Sequence, residues 1–133
     1  MTRKSVLIVE DEIFVALDLQ MTFEEAGWDV AGPFASIEQS TLYLKNNTPT
    51  CAVLDVRLID GEVFPVADIL AERNVPFVFH SGHADGRQLA QRYTASAFCQ
   101  KPCLPGKLLS ELEKLSDHAA PAEKLEIWAG ARA

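Results

Sequence analysis

Unbroken apolar runs alternate with mixed stretches along this chain. "SVLIVE" (Ser5 to Glu10) is short and aliphatic, and reads as a strand buried on both faces. From about Glu12 to Ala26, Ile13, Ala16, Leu17 and Met21 recur near helical spacing, and Gly27 ends that helix. "WDVAGPF" predicts a second strand, which Gly32 and Pro33 weaken and assign to a sheet edge. Ser36 is placed to cap a second helix, "SIEQSTLYLKNN", with Ile37, Leu42 and Leu44 as its apolar positions, and Pro49 closes that unit. "CAVLD" is the third strand. A third helix is predicted over Glu62 to Arg73, with Val66, Ile69 and Leu70 on one side and Pro65 tolerated near its start. "VPFVFHS" is the fourth strand, and a polar helix or long loop follows from about Asp85 to Tyr93. "SAFCQ" is the fifth strand, and "PGKLLSELEKLSD" the fifth helix, striped by Leu108, Leu109, Leu112 and Leu115.

Five strands alternating with helices predict an α/β fold: a doubly wound, five-stranded parallel sheet with helices on both faces. The expected unit covers residues 1–117. Residues 118–133 form an Ala-rich tail, with disorder and packing on the domain both left open.

Composition narrows the functions. The chain has 133 residues, 48% hydrophobic and 23% charged, which fits one ordinary domain. Its net charge of −7 repels phosphate backbones, so a nucleic-acid partner is not expected. No apolar run is long enough to span a bilayer, and the start "MTRKSVLIVE" is too short for a signal peptide. A cytoplasmic location without membrane attachment is the expectation. The three cysteines, Cys51, Cys99 and Cys103, then read as reduced thiols.

Chemistry gathers where the strands end. The first strand runs into Glu10-Asp11, the third into Asp55, the fourth into Ser81-Gly82 and the fifth into Lys101-Pro102. In doubly wound sheets ligands bind beyond the carboxyl ends of the strands. Three carboxylates there repel one another and raise one another's pKa, which a hard cation with oxygen ligands relieves. With Lys101 and Ser81 added, such a crevice suits a phosphoryl group arriving on Asp55. Each feature also has a plain reading: an acidic helix start, a turn residue, a solvated lysine. Their joint position on one edge favours the functional one.

"VLIVEDE", "AVLDVRL", "FVFHSG" and "FCQKP", in this order, resemble the receiver domain of response regulators in two-component signalling, from about residue 4 to residue 116. The resemblance implies a flavodoxin-like sheet with strand order 2-1-3-4-5 and Asp55 as phosphoacceptor. It implies Mg²⁺ (or Mn²⁺) held by Glu10, Asp11, Asp55 and the backbone carbonyl of Arg57. It implies that Ser81 and Lys101 contact the phosphoryl, that Lys101-Pro102 is a cis peptide, and that Ser81 and Phe98 act as switch residues. Arg57 and His83 would flank the path of the water that removes the phosphoryl. The partners it implies are a histidine kinase or histidine phosphotransfer protein and a downstream protein, met through the fifth helix and strand; a phosphorylation-dependent homodimer is compatible with it. Such a domain is not an enzyme beyond turning over its own phosphoryl group.

The sequence departs from the family where Ile59 and Val63 replace the usual proline and glycine after the acceptor, so a rearranged loop is expected there. "FHSGH" is similar to a Phe-Ala-Thr-Gly-Tyr segment of an alphaproteobacterial subgroup at Phe79 and Gly82, with Ser81 conservative and His80 and His83 departing.

Other functions fit less well. An aspartyl-phosphate hydrolase would want a second aspartate where Arg57 stands. A flavodoxin-like carrier would want a phosphate loop where "EDEIF" stands. A pseudo-receiver would lack part of the set. Zinc on His80, His83, Cys99 and Cys103 lacks the usual ligand spacings. The chain ends soon after the fifth helix, so output through protein contacts, or a role as phosphate relay or sink, is expected.

Overall fold

The computed structural model describes residues 3–82, 91–93 and 95–125, with side chains described as far as residue 117. Its strands are β1 (Ser5–Val9), β2 (Asp29–Phe34), β3 (Cys51–Leu54), β4 (Arg57–Leu58), β5 (Gly61–Glu62), β6 (Phe77–Ser81) and β7 (Ser96–Gln100). Its helices are α1 (Ile13–Glu25), α2 (Ile37–Asn46), α3 (Phe64–Glu72) and α4 (Pro105–Leu125). The main sheet has the order β2-β1-β3-β6-β7, parallel throughout, which is the expected 2-1-3-4-5 arrangement of a doubly wound, flavodoxin-like fold.

Val6 to Val9 of β1, all of β3 and Phe77 to Phe79 of β6 are unbroken apolar runs because both faces of the sheet are covered there. Alternate residues feed two cores. Leu7, Val9, Ala52, Leu54, Phe77 and Phe79 pack with α2 and α3. Val6, Ile8, Cys51, Val53, Val78 and Cys99 pack with α1 and α4, through Leu19, Phe23, Leu108 and Leu112. β2 is an edge strand, with a register irregularity opposite Leu7 to Val9. Gly32 sits there at φ +98, and a Cβ on it would lie 2.7 Å from the Phe34 nitrogen and 2.9 Å from the Ile8 oxygen, so only glycine fits.

Helix ends follow local chemistry. The Ser36 side chain accepts from the Gln39 N–H at 3.1 Å, capping α2. Gly27, at φ +91, ends α1, where the Trp28 N–H reaches back to the Phe23 carbonyl. Pro65 lies in the first turn of α3.

The expected α1 face is corrected by the structure. Ala16, Leu19 and Phe23 face the core, while Ile13, Leu17 and Met21 are exposed. Every residue from Ile13 to Leu17 is apolar, so spacing alone could not tell the two sides apart. Leu42 of α2 is likewise exposed, and Ser40 takes the buried position. α3 begins at Phe64 rather than Glu62, because Glu62 pairs with Arg57 in the small β4–β5 hairpin. α4 runs on to Leu125, past Asp117 where the leucine-striped stretch ends; alanines carry helical propensity onward there. Of the segment expected over Asp85 to Tyr93, residues 85–90 lie outside the described residues.

Phe23 is fully buried and meets Trp28 edge-on at 5.4 Å. Phe23→Ala is expected to cost about 3–5 kcal/mol of stability. Urea unfolding checks this, and a loss below about 1 kcal/mol would contradict this packing.

Candidate functional site

The carboxyl edge of the sheet carries the candidate site. Parallel register brings the ends of β1, β3, β6 and β7 side by side, so residues far apart in sequence meet just beyond them. Glu10 and Asp55 are buried, and Asp11 is half-buried. One carboxylate oxygen from each of Glu10, Asp11 and Asp55 lies within 4.8 Å of the others. The Asp55 N–H donates to the Val9 carbonyl at 2.9 Å, which ties the acceptor loop to the end of β1.

Lys101 reaches into this group from the end of β7. Its Nζ lies 3.1 Å from Glu10 Oε1, 3.2 Å from Glu10 Oε2 and 3.3 Å from Asp55 Oδ2, and it also donates to Glu12. The Lys101 N–H donates to the carbonyl of the fully buried Ser81 at 2.8 Å, and the Lys101–Pro102 peptide is cis. A Cβ added at Gly82 would meet nothing nearer than Lys101 Cβ at 4.0 Å, so the mouth of the site is open there.

Glu12 was not singled out by the sequence. It stands 89 residues from Lys101, and only its position two residues after Glu10 hinted at a role. His80 is also buried beside the cluster, with Nδ1 3.9 Å from Glu10 Oε1 and neither ring nitrogen hydrogen-bonded.

The electrostatics follow from burial and crowding. Burial, then the Asp55 charge, pushes the Glu10 carboxyl up to about 7. Burial and Asp55 also raise Asp11. The Lys101 hydrogen bond lowers Glu12. Burial opposes the Lys101 ammonium, but the Glu12, Glu10 and Asp55 carboxylates outweigh it and raise its pKa. Burial, helped by Lys101, lowers His80 to about 4, so the imidazole is neutral near pH 7.

Three crowded oxygen donors, one held partly protonated near neutrality by its surroundings, are a donor set that a hard divalent cation would satisfy. Among the described residues they are the group whose atoms converge closely enough for a metal; His80, Cys99 and Cys103 do not form one.

A pH test follows for the cation-free protein. Glu10 binds its proton more tightly folded than unfolded, so its contribution is complete below about pH 4.5 and is lost as pH rises toward 7. The loss amounts to at most about 3 kcal/mol. His80 works the other way: its contribution is present above pH 6.5 and lost as pH falls toward 4. Wild-type stability is therefore expected to vary little across this window. Glu10→Gln should gain relative to wild type between pH 5 and 8, and Mg²⁺ should close the gap. Thermal melts of both proteins over that range check this; a constant gap would contradict it.

The remaining expected residues are placed as follows. Arg57 begins β4 with an exposed side chain, and the β4–β5 hairpin follows Asp55 directly. Asp60 at the hairpin tip accepts from the N–H groups of Ile37 at 2.8 Å and Glu38 at 3.1 Å, fastening the hairpin to the start of α2. Phe98 on β7 is half-buried against the α2–α3 core. Nearby, the Tyr93 ring meets Phe77 edge-on at 5.4 Å and Phe79 at a tilt, and its hydroxyl donates to Asp68 at 2.7 Å. His83 lies outside the described residues.

Solved structures with this arrangement are receiver domains of response regulators. A response regulator receiver protein from Sinorhizobium medicae superposes with a TM-score of 0.79 at 23% identity, over 88% of this chain and 97% of that one. The signal receiver domain of a modulated diguanylate cyclase from Desulfovibrio desulfuricans gives 0.77 at 26% identity, over 90% and 98%. A response regulator receiver domain protein from Methanospirillum hungatei gives 0.78 at 20% identity, over 90% and 98%. No protein-family model and no curated protein matches the sequence. What the chain shares with these structures is the receiver fold.

Proposed function

We propose that the protein is a phosphoacceptor domain of a two-component relay, in which Asp55 takes a phosphoryl group from a phosphohistidine. The observation that carries this reading is the convergence of Glu10, Asp11, Asp55 and Lys101 at the carboxyl edge of a receiver-type sheet. An Asp55 carboxylate oxygen attacks phosphorus in line; the new O–P bond forms as the donor's N–P bond breaks, and the imidazole leaves. Glu10, Asp11, Asp55 and the Arg57 carbonyl would hold Mg²⁺ or Mn²⁺, which would neutralise charge on the transferring oxygens. Lys101 supplies a further positive charge, and the Ser81 hydroxyl donates to a phosphoryl oxygen. Ser81 and Phe98 carry the change to the β7–α4 surface. Exposed Arg57, together with His83, tunes how fast water removes the phosphoryl. Residues 1–117 are the working unit, in the cytoplasm.

The partner surface of this reading includes α1. Phe14 is 81% exposed on its first turn, and Leu104 before α4 is 77% exposed. Between α1 and the start of α4 lies a groove of about 410 Å³, whose lining includes Val15, Leu19 and Pro102 as well as Glu12, Asp18 and Lys101. A helix of a histidine kinase or phosphotransfer protein would dock against this surface, near the site that holds Asp55. The alphaproteobacterial subgroup rests on Phe79, Ser81 and Gly82 alone.

The test is incubation with acetyl phosphate and Mg²⁺, followed by intact mass. A gain of one phosphoryl mass, abolished by chelator, is expected. Asp11→Ala should lower the labelling rate at least about 100-fold, since it removes a direct cation ligand. Full labelling of that variant in the presence of chelator would refute the assignment.

A further inference from the structure

Cys99 and Cys103 bracket the residue that reads the site. Cys99 is buried in β7. Cys103 follows the Lys101-Pro102 step, is half-buried, and packs against the same core. The two side chains are neighbours, and the Cys103 thiol lies 3.9 Å from the Leu104 carbonyl oxygen. Both line an open groove of about 370 Å³ with Phe98, Leu104 and Lys107. Cys103 also lines the larger groove next to Lys101, so small solutes reach it from two sides. Cys51, by contrast, is fully buried. Disulfides in reducing compartments are in general transient and redox-sensing, and a paired, accessible thiol beside a functional lysine fits that pattern.

We propose that Cys99 and Cys103 are a redox modification site: a peroxide closes them into a reversible disulfide that braces the segment carrying Lys101. The Cys103 sulfur attacks one peroxide oxygen, forming a sulfenic acid and releasing water. The Cys99 sulfur then attacks the Cys103 sulfur and expels the second water. Both sulfurs are oxidised to the disulfide, both peroxide oxygens are reduced to water, and a dithiol restores the pair. Cys103 is the less buried of the two and lines both grooves, so it meets the peroxide first, and the buried Cys99 resolves. With both ends of the segment joined, Lys101 is held over Glu10, Glu12 and Asp55 and yields less readily to an incoming phosphoryl. This consequence rests on the proposed function of Asp55; closure of the pair does not.

The test uses the full chain, reduced, then treated with hydrogen peroxide and mapped by alkylation and peptide mass. The peptide carrying Cys99 and Cys103 should lose two hydrogen masses and resist alkylation, and dithiothreitol should reverse both. Cys51→Ser should behave as wild type. Cys99→Ser should stop at a Cys103 sulfenic acid that dimedone traps. Oxidation of Cys103 with Cys99 still alkylatable in wild type, or a link to Cys51, would overturn the proposal. Phosphoryl uptake from acetyl phosphate should slow at least threefold in the oxidised protein and recover on reduction. Equal uptake by the two forms would overturn the bracing. No uptake by either form would count against Asp55 as acceptor, while the mass map still decides the disulfide.

Discussion

Asp55→Asn protein treated with acetyl phosphate and Mg²⁺ is expected to gain no phosphoryl mass, while keeping its fold. Asparagine has nearly the shape of aspartate, so the packing at the end of β3 and the backbone bond from residue 55 to the Val9 carbonyl remain. What changes is chemistry. A carboxylate has a full negative charge to attack phosphorus, and an amide oxygen does not. The substitution also removes one of three crowded charges. Asp55 helps to push Glu10 up, so its loss should lower the Glu10 pKa and leave the cation-free protein as stable as wild type or more so. Lost labelling together with an unchanged or higher Tm therefore separates a chemical role from a structural one. Labelling of the variant at undiminished yield would mean that another residue is the acceptor.

The parts of this site that could be read from the sequence are those that strand ends dictate. A buried parallel strand is an unbroken apolar run, and the polar residue that ends it must emerge at the sheet edge. Glu10, Asp55, Ser81 and Lys101 all follow that rule, so their convergence could be inferred before any coordinates. Helix faces could not. Ile13 to Leu17 are apolar all round, and the side facing the sheet is decided by Leu19 and Phe23 fitting between β1 and α4. Ile13, Ala16, Leu17 and Met21 recur near helical spacing, yet of these only Ala16 faces the core. Loop pairings were also hidden. Ile59 and Val63 signalled an unusual loop after the acceptor, but not the β4–β5 hairpin, nor the Asp60 carboxylate that anchors it to α2. Glu12 reads in the sequence as part of an acidic helix start, and its pairing with Lys101 is hidden because the two are distant in sequence and close only after folding.

Lys101→Ala is expected to leave phosphoryl uptake within about tenfold of wild type and to remove the conformational response to it, because the chemistry of attack rests on Asp55 and the cation site, not on the ammonium. In the resting protein the ammonium is shared among Glu10, Glu12 and Asp55 at the distances given above. A phosphoryl on Asp55 brings roughly two negative charges into the same space at neutral pH. It therefore competes for the one ammonium those carboxylates hold. Moving Nζ toward the phosphoryl loosens its bonds to Glu10 and Glu12 and pulls on the backbone just after β7, where the residue 101 N–H is bonded to the Ser81 carbonyl. Phe98, three residues back on β7, lies on that path. Alanine keeps the backbone bond but cannot carry the pull. The measurement is the change in backbone amide NMR shifts around Ser81 and Phe98 on adding beryllofluoride, a phosphoryl mimic, with Mg²⁺. Wild type should show shifts that spread along β6 and β7, and the variant only changes local to Asp55. Losing the ammonium also leaves Glu10 and Asp55 facing each other without a counter-charge, so Mg²⁺ should raise the Tm of the variant more than that of wild type. A full shift response in the variant would show that Lys101 does not couple the site to β7.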